Sequence, residues 1–183
     1  MLNEIDLETG KLRDIKNIVV RRASDMRGFF SNSEALEKLI ESGDPIIYEV
    51  FEWKYSSSPG NLSYAVTVLR SGDVGGEFYM TKGHYHEKEE MGELYICLRG
   101  RGLLLMQNRE GDVKWSEMKR GNIAYVPPGY AHRSINVGDE EFIFLAVYPS
   151  DAGHNYGDIK EKGFRKLVMK KGDGYEVVDN EKY

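Results

Sequence analysis

The 183-residue chain has little cysteine, no long apolar run and no excess of basic residues. Its single cysteine, Cys97, excludes an internal disulfide framework and lies in an apolar segment, which predicts a buried, inert thiol. No stretch is long enough to span a bilayer, and the first residues lack the basic and apolar regions of a signal peptide. The net charge of -5 gives no general attraction to nucleic acid or to an anionic membrane. We therefore expect a cytoplasmic protein that binds neither.

Short segments with strand character, separated by turn residues, make up most of the chain. From residue 46 onward the predicted strands are 46–51, 64–69, 78–81, 93–98, 102–107, 113–118, 122–126 and 142–148. Residues 108–111, Asn-Arg-Glu-Gly, predict a hairpin turn between two of them. Strands and helices do not alternate, so the pattern favours an all-β sandwich or barrel over a parallel sheet with crossover helices.

The two ends of the chain differ from this strand-rich middle. Residues 1–45 predict an arm with a short strand at 18–20 and a short helix. Ser31 and Glu34 resemble a capping box for that helix, and Gly43 ends it. We expect this arm to pack on a barrel formed by residues 46–160. Residues 161–183 then predict a C-terminal strand extension, with one domain overall.

Three of the four histidines lie in two short segments that resemble metal-binding sequences. His84 and His86 are two residues apart in an extended segment, so their side chains project on one side. Glu93 and His132, from neighbouring strands, complete a shell of three nitrogens and one oxygen. That shell suits Fe(II), Mn, Ni, Co or Zn better than Ca or Mg. The sequence therefore predicts one metal site on His84, His86, Glu93 and His132.

Other readings of these residues stay open. The two neighbouring histidines would also fit the surface of an edge strand. The charged run before Glu93 reads as a solvated loop, but Glu89 or Glu90 would take the metal if the strand register differed. If Glu93 does face the metal, strand alternation also puts Tyr95 and Cys97 on that side and Leu94 on the other.

The spacing of the second histidine segment matches the second cupin motif. Every fixed position of that motif is present: Gly121, Pro127, Gly129, His132 and Asn136. The first cupin motif fits less well, because six residues separate His86 from Glu93 where three or four are common. The sequence thus predicts a cupin double-stranded β-helix, a jelly-roll barrel whose closed sheets protect their edges.

Longer stretches around these motifs resemble one family, the cupin-type phosphoglucose isomerases of archaea. The resemblance extends from about residue 25 to residue 164, and its clearest parts are 81–86 with 93–95, 125–136 and 148–156. The six-residue gap after His86 is the gap that this family shows. The resemblance implies interconversion of glucose 6-phosphate and fructose 6-phosphate by a homodimer with one divalent metal per subunit. Fe(II) is the metal it implies first, with Mn(II), Ni(II) or Zn(II) as alternatives.

The resemblance also implies roles for individual residues. His84, His86, Glu93 and His132 would bind the metal, and Glu93 and Tyr148 would be catalytic. The residues implied to line a sugar-phosphate pocket are Thr67, Thr81, Gly83, Tyr95, Tyr148, His154 and Tyr156. Lys82 or Arg133 would add positive charge for the phosphate.

Two chemical routes and three classes of function remain open from sequence. Glu93 is the natural base for an enediol route, although a carboxylate tied to a cation is a weaker base. A hydride shift would need Glu93 less. A cupin Fe(II) dioxygenase, a non-catalytic sugar-binding metal cupin and an isomerase acting on mannose 6-phosphate are the alternatives to the leading hypothesis.

Overall fold

Antiparallel strands dominate the computed structural model, which describes residues 2–13, 15 and 17–183. The strands are β1 Asn17–Arg22, β2 Ile46–Lys54, β3 Leu62–Leu69, β4 Asp73–Val74, β5 Glu77–Phe78, β6 Glu93–Arg99, β7 Arg101–Asn108, β8 Val113–Lys119, β9 Ile123–Val126, β10 Tyr130–Asn136, β11 Phe142–Pro149, β12 Lys166–Lys171 and β13 Gly174–Asp179. The helices are α1 Ser33–Glu41 and α2 Gly157–Lys162, and a single 3-10 turn covers Ala23–Met26. No helix in the described part of the chain has the length and hydrophobicity to cross a membrane.

Three sheets build the barrel. The largest has the strand order β1-β2-β3-β11-β6-β9, the second β10-β7-β8, and the third β13-β12-β5-β4. Neighbours such as β3 and β11, or β6 and β11, are far apart in sequence, and the chain crosses between sheets as a jelly roll requires. The architecture confirms the predicted all-β cupin fold.

Strand alternation sorts the six-stranded sheet into an inner and an outer face. On β6, Glu93, Tyr95 and Cys97 are buried, whereas Leu94 between them is exposed. This confirms the predicted facing of the strand. Cys97 is a free thiol, 1% exposed, and burial raises its pKa to about 11, so it is the inert core thiol expected from its context.

The outer face of the same sheet is partly covered by the start of the chain. Phe51 and Val66 form a second apolar cluster there, and Leu12 closes it with partly buried Ile5 and Ile15. Strand β1 then pairs with β2 as the edge strand of the sheet. The arm therefore contributes both an outer cover and one strand, whose inward side chains reach the barrel interior.

Local details differ from the sequence predictions at four places. The capping box was wrong: helix α1 begins at Ser33, and the Asn32 side chain accepts from the Ala35 N–H. The predicted strand 78–81 is regular only at 77–78 and continues as an isolated bridge. Strand β10 and helix α2 were not predicted, because β10 follows directly on the Pro-Pro-Gly turn and α2 has only six residues.

Candidate metal and substrate site

A two-residue bridge between separate chain segments brings the histidines together. The His84 N–H donates to the His132 carbonyl at 3.3 Å, and the His132 N–H donates back to His84 at 3.1 Å. Their rings are consequently 4.6 Å apart, centroid to centroid. Gly83 makes this approach possible: its φ is +73°, and a Cβ there would be 3.0 Å from the His132 carbonyl oxygen and 2.7 Å from Phe164.

Four potential ligand atoms converge at this bridge. One atom each from His84, His86, Glu93 and His132 lies within 4.8 Å of the other three. The Glu93 Oε2 atom is 3.0 Å from Nε2 of His86 and 3.1 Å from Nε2 of His132. These are the four residues predicted from sequence, brought together from β6, β10 and the segment before β6.

The donor set fits a metal ion. The His84 Nε2 atom is buried without a hydrogen-bond partner among the described residues, which is costly unless something binds it. His86 is oriented from behind, since its Nδ1 lies 3.0 Å from the Met91 carbonyl and leaves Nε2 free to face Glu93. Such outer contacts are the usual way a ligating imidazole is fixed.

The electrostatics keep Glu93 and His84 in the forms that bind cations. Burial alone would raise the pKa of Glu93, but the adjacent His132 and His86 outweigh burial and hold that pKa well below its usual range. For His84, burial and the neighbouring His132 lower the pKa well below its usual value. These directions favour an ionised Glu93 carboxylate and a neutral His84 ring with an available lone pair.

A cavity of ≈ 290 Å³ opens beside these ligands. All seven residues that the family resemblance implied for the substrate pocket border it: Thr67, Thr81, Gly83, Tyr95, Tyr148, His154 and Tyr156. His154 and Tyr156 lie at the mouth, where the His154 ring packs 4.4 Å from His84 and stacks on Tyr156. Paired backbone hydrogen bonds between Tyr85 and Asn155 connect the loop that carries them to the segment that contains His84 and His86.

Short side chains make the space for this cavity. Ala65 and Ala146 pair across β3 and β11 on the inner face, and Tyr95 pairs with Ala146 from β6. Both alanines also line the cavity. Their short side chains leave open space above the centre of the sheet, and longer side chains surround that space. The inner face of the sheet therefore forms the floor of the cavity, and both polar and apolar side chains surround it.

The two ends of the cavity carry opposite chemistry. Arg21 on β1 lines one end with Lys82 and Tyr48, and Arg21 pairs with Tyr48 in the strand register. Burial and the nearby Arg21 lower the pKa of Lys82. Within the described part of the chain, neither cation forms an ion pair with a carboxylate, so this end retains net positive charge. Glu93 and Glu52 line the other end.

Some cavity residues were not found from sequence, and one suggested residue lies elsewhere. Arg21, Tyr48 and Glu52 were missed, because nothing in their local sequence shows that β1 and β2 turn those side chains inward. Arg133 was wrong as a phosphate contact: it is 2% exposed, packs on Phe164 and donates to the Lys82 carbonyl from outside the cavity. It supports the Thr81–His84 segment from behind.

The alternative carboxylates are also placed. Glu89 pairs with Arg109 on the surface at 2.8 Å, and Glu90 is exposed. Neither belongs to the four-residue cluster.

Comparison with known proteins gives consistent matches. The family model described as glucose-6-phosphate isomerase matches residues 20–183. The chain is 51% identical over 180 residues to the glucose-6-phosphate isomerase of Thermococcus onnurineus, covering 98% of this chain and 94% of that protein. It is 48% identical to the Pyrococcus furiosus enzyme of the same name, covering 98% and 95%. Among solved structures, Bacillus subtilis oxalate decarboxylase aligns with a TM-score of 0.47 at 20% identity, covering 57% of this chain and 26% of that chain.

Proposed function

Because the chain belongs to the glucose-6-phosphate isomerase family, we propose that its cavity is the active site of that reaction, with the four-residue cluster as metal centre and Glu93 as base. The protein is an aldose–ketose isomerase that interconverts glucose 6-phosphate and fructose 6-phosphate. The observation that carries the site assignment is the cavity itself, which joins a three-histidine, one-carboxylate cluster to an end where Arg21 and Lys82 have no ion pair among the described residues.

His84, His86, Glu93 and His132 would hold one divalent metal. We propose Fe(II), with Mn(II), Ni(II) or Zn(II) as substitutes, because imidazole and carboxylate ligands suit these ions and affinity alone does not select among them. When bound, the metal supplies Lewis acidity toward the substrate oxygens. The protein side chains perform the remaining work of orientation and proton transfer.

The cationic end would hold the phosphate. Arg21 and Lys82 offer charge, and Thr67, Thr81 and the Gly83 backbone offer neutral donors along the same wall. Asn17 pairs with Glu52, and Arg21 pairs with Tyr48. Arg21 is therefore four residues along the strand from the position level with Glu52. That spacing corresponds to roughly 13 Å along the strand. A sugar phosphate bound at Arg21 thus extends its far carbons toward the metal cluster.

Glu93 would act on the carbon-bound hydrogen. Its carboxylate is buried beside the cluster and lines the cavity, so it reaches the end where C1 and C2 lie. In the enediol route it removes a proton from one carbon and returns it to the other. Tyr95, buried next to it with its ring 5.8 Å from His132, keeps water away from this step.

Metal removal and restoration test this assignment. We expect chelator-stripped protein to lose isomerisation of fructose 6-phosphate, and anaerobic addition of Fe(II) to restore it, with weaker recovery by other metals. A coupled dehydrogenase measures glucose 6-phosphate, and elemental analysis measures metal per chain. A folded, metal-loaded protein that forms no product with any metal would contradict the assignment. Substrate-dependent oxygen uptake would instead indicate the dioxygenase alternative.

A substitution in the cationic end tests whether that end binds the substrate phosphate. Arg21→Gln removes one charge-assisted contact, so we expect KM for fructose 6-phosphate to rise roughly tenfold or more with metal content unchanged. Arg22→Gln, at the adjacent, exposed position of β1, is the control. An unchanged KM for Arg21→Gln would remove Arg21 from the phosphate contacts.

The uncovered part of the outer sheet face is the surface we propose for a homodimer. Leu94 pairs with Tyr125 across β6 and β9, and Ile123 follows at the next outward position of β9. Ile123 is 67% exposed and Tyr125 56%. β9 is also the edge of the six-stranded sheet. An apolar edge of this kind is normally covered, and a second copy of the chain would cover it by symmetry.

We expect Ile123→Glu to weaken dimerisation by at least about 100-fold, because association would bury an unpaired charge. Analytical ultracentrifugation over a concentration series measures the dissociation constant. Glu117→Gln, on the exposed side of β8, is a suitable control. A variant that stays dimeric at micromolar concentration would place the interface elsewhere.

We further propose a cytoplasmic location, which subcellular fractionation would test by finding the protein with the soluble glycolytic enzymes.

A further inference from the structure

The cavity contains a second carboxylate, Glu52, that none of the roles above uses. It projects inward from β2 and lines the cavity. The Tyr148 hydroxyl donates to Glu52 Oε1 at 2.5 Å, and the Asn17 amide donates to the other oxygen. Among the described residues, no lysine or arginine forms an ion pair with Glu52. Among the residues that the structure describes, the carboxylate is therefore held by one phenol and one amide.

The sheet is built so that these two side chains meet. Glu52 and Tyr148 belong to β2 and β11, which flank β3, so their backbones are roughly 10 Å apart. The inward residues of β3 between them are Ser63 and Ala65, which pair with Tyr148 and Glu52 respectively. Because both are short, the long side chains can cross above them and form a direct hydrogen bond.

Tyr148 also borders the site of carbon chemistry. Leu94 pairs with Val147 across β6 and β11, which puts Glu93 and Tyr148 next to each other on the inner face. Both line the same cavity. Tyr148 consequently lies between the two carboxylates, and His154 is on its open side with ring centroids 6.2 Å apart.

The reaction requires two hydrogen movements, and Glu93 accounts for one. Interconversion of an aldose and a 2-ketose moves a hydrogen between C1 and C2, and it also moves a hydroxyl proton between O1 and O2. The second movement needs a group that can accept a proton from one oxygen and give one to the other. Glu93 cannot serve both at once while it holds the carbon-derived proton.

We propose that Tyr148 and Glu52 form a relay that carries the hydroxyl proton between O1 and O2; this rests on the function proposed above. The Tyr148 oxygen accepts the proton from one substrate hydroxyl while its own phenolic proton passes to the Glu52 carboxylate. Glu52 then returns a proton to the Tyr148 oxygen, which delivers one to the other substrate oxygen. The pair ends as it began, and no further reactant is consumed. Tyr148 is the catalytic residue, and Glu52 is a positioning residue that acts through it.

The environment of Tyr148 supports exchange rather than simple ionisation. Burial, followed by the hydrogen bond to Glu52, raises the pKa of Tyr148 far above its ordinary value. The groups that face the pair are Glu93 on β6, Tyr156, the Asn17 amide and His154, whose ring centroid is 6.2 Å from that of Tyr148. The hydrogen bond from the Tyr148 hydroxyl to Glu52 gives the phenolic proton a direct path to a carboxylate.

Substrate and solvent isotope effects test the relay. We expect Glu52→Gln to lower kcat by about 100-fold with KM changed less than threefold, because the amide cannot take up the phenolic proton. If hydroxyl transfer becomes limiting, the solvent deuterium effect on kcat should increase and the effect of deuterium at C2 of glucose 6-phosphate should decrease. A merely structural disturbance near Glu93 would leave or increase the C2 effect. Unchanged isotope effects would therefore overturn the relay.

A double-mutant cycle separates the relay from independent contributions. We expect Tyr148→Phe with Glu52→Gln to be no slower than Tyr148→Phe alone, as for groups that act as one unit. Additive losses would overturn the proposal. Glu52→Asp retains the charge but shortens the reach, and it should show the same kcat loss if Glu52→Gln is too unstable to assay. Glu49→Gln, on the outward side of β2 beside Arg70, is the control that should keep normal kcat.

The outcomes also distinguish this inference from the assignment on which it rests. An inactive wild-type protein would contradict the proposed active site. An active wild type whose Glu52→Gln variant has normal kcat would contradict only the relay.

Discussion

Glu93→Gln is expected to lose about 10²–10⁴-fold in kcat while keeping most of its metal. Glutamine has nearly the same shape, and its amide oxygen can still face His86 and His132, 3.0 and 3.1 Å from the native Oε2 atom. It cannot accept a proton from carbon. Elemental analysis and steady-state kinetics on the same sample separate the two roles. Near-normal turnover would show that Glu93 is not the base.

Two controls sharpen that result. Glu90→Gln changes an exposed carboxylate in the preceding loop and should leave both metal content and kcat unchanged. Glucose 6-phosphate labelled with deuterium at C2 distinguishes the chemical routes in the wild-type protein. Loss of label to solvent supports proton transfer through Glu93. Complete retention in product, together with an active Glu93→Gln variant, would favour a hydride shift.

His86→Ala is expected to lose metal and activity together. The native ring is fixed on both sides, by the Met91 carbonyl at Nδ1 and by Glu93 at Nε2, so its removal deletes a pre-oriented ligand. Removing a partner behind a ligand already costs about 10–100-fold in metal affinity, and loss of the ligand itself should exceed that range. Competition with a chelator of known affinity measures the change.

The fourth histidine provides the matched control for this prediction. The His154 ring contacts His84 but does not belong to the four-residue cluster. We expect His154→Ala to bind metal as the wild type does, and to differ only in its kinetics with substrate. Equal metal affinity in the His86→Ala and wild-type proteins would show that the cluster is not the metal site.

The four-residue cluster shows why part of this protein's structure can be predicted from its sequence. A two-residue spacing in an extended segment forces His84 and His86 to one side, whatever surrounds them. The glycines and prolines around His132 set the strand ends in the same local way. Alternation along β6 likewise predicted that Tyr95 would lie on the same face of the strand as Glu93. In each case the decisive geometry acts over a few bonds, so neighbouring residues are sufficient to reveal it.

The start of helix α1 and the cationic end of the cavity could not be predicted from local sequence. Ser31 and Asn32 are both acceptable N-caps, but the structure uses Asn32, and the Ser31 N–H donates to the carboxylate of Glu77, which is distant in sequence. Lys82 and Arg133 look equivalent as sequence, but the bridge between His84 and His132 turns Lys82 into the cavity and leaves Arg133 behind it. Which basic residue faces the substrate depends on the path of two distant segments.

The sequence by itself thus determined the all-β class, the ligand types and the family, because these follow from residue identity, spacing and alternation. Only the tertiary structure decided that Arg21 from the arm strand enters the cavity, and that Glu52 reaches Tyr148 across β3. Strand order and register create these contacts between residues 96 positions apart, as for Glu52 and Tyr148. No local pattern encodes them, since they depend on the short side chains of a third strand.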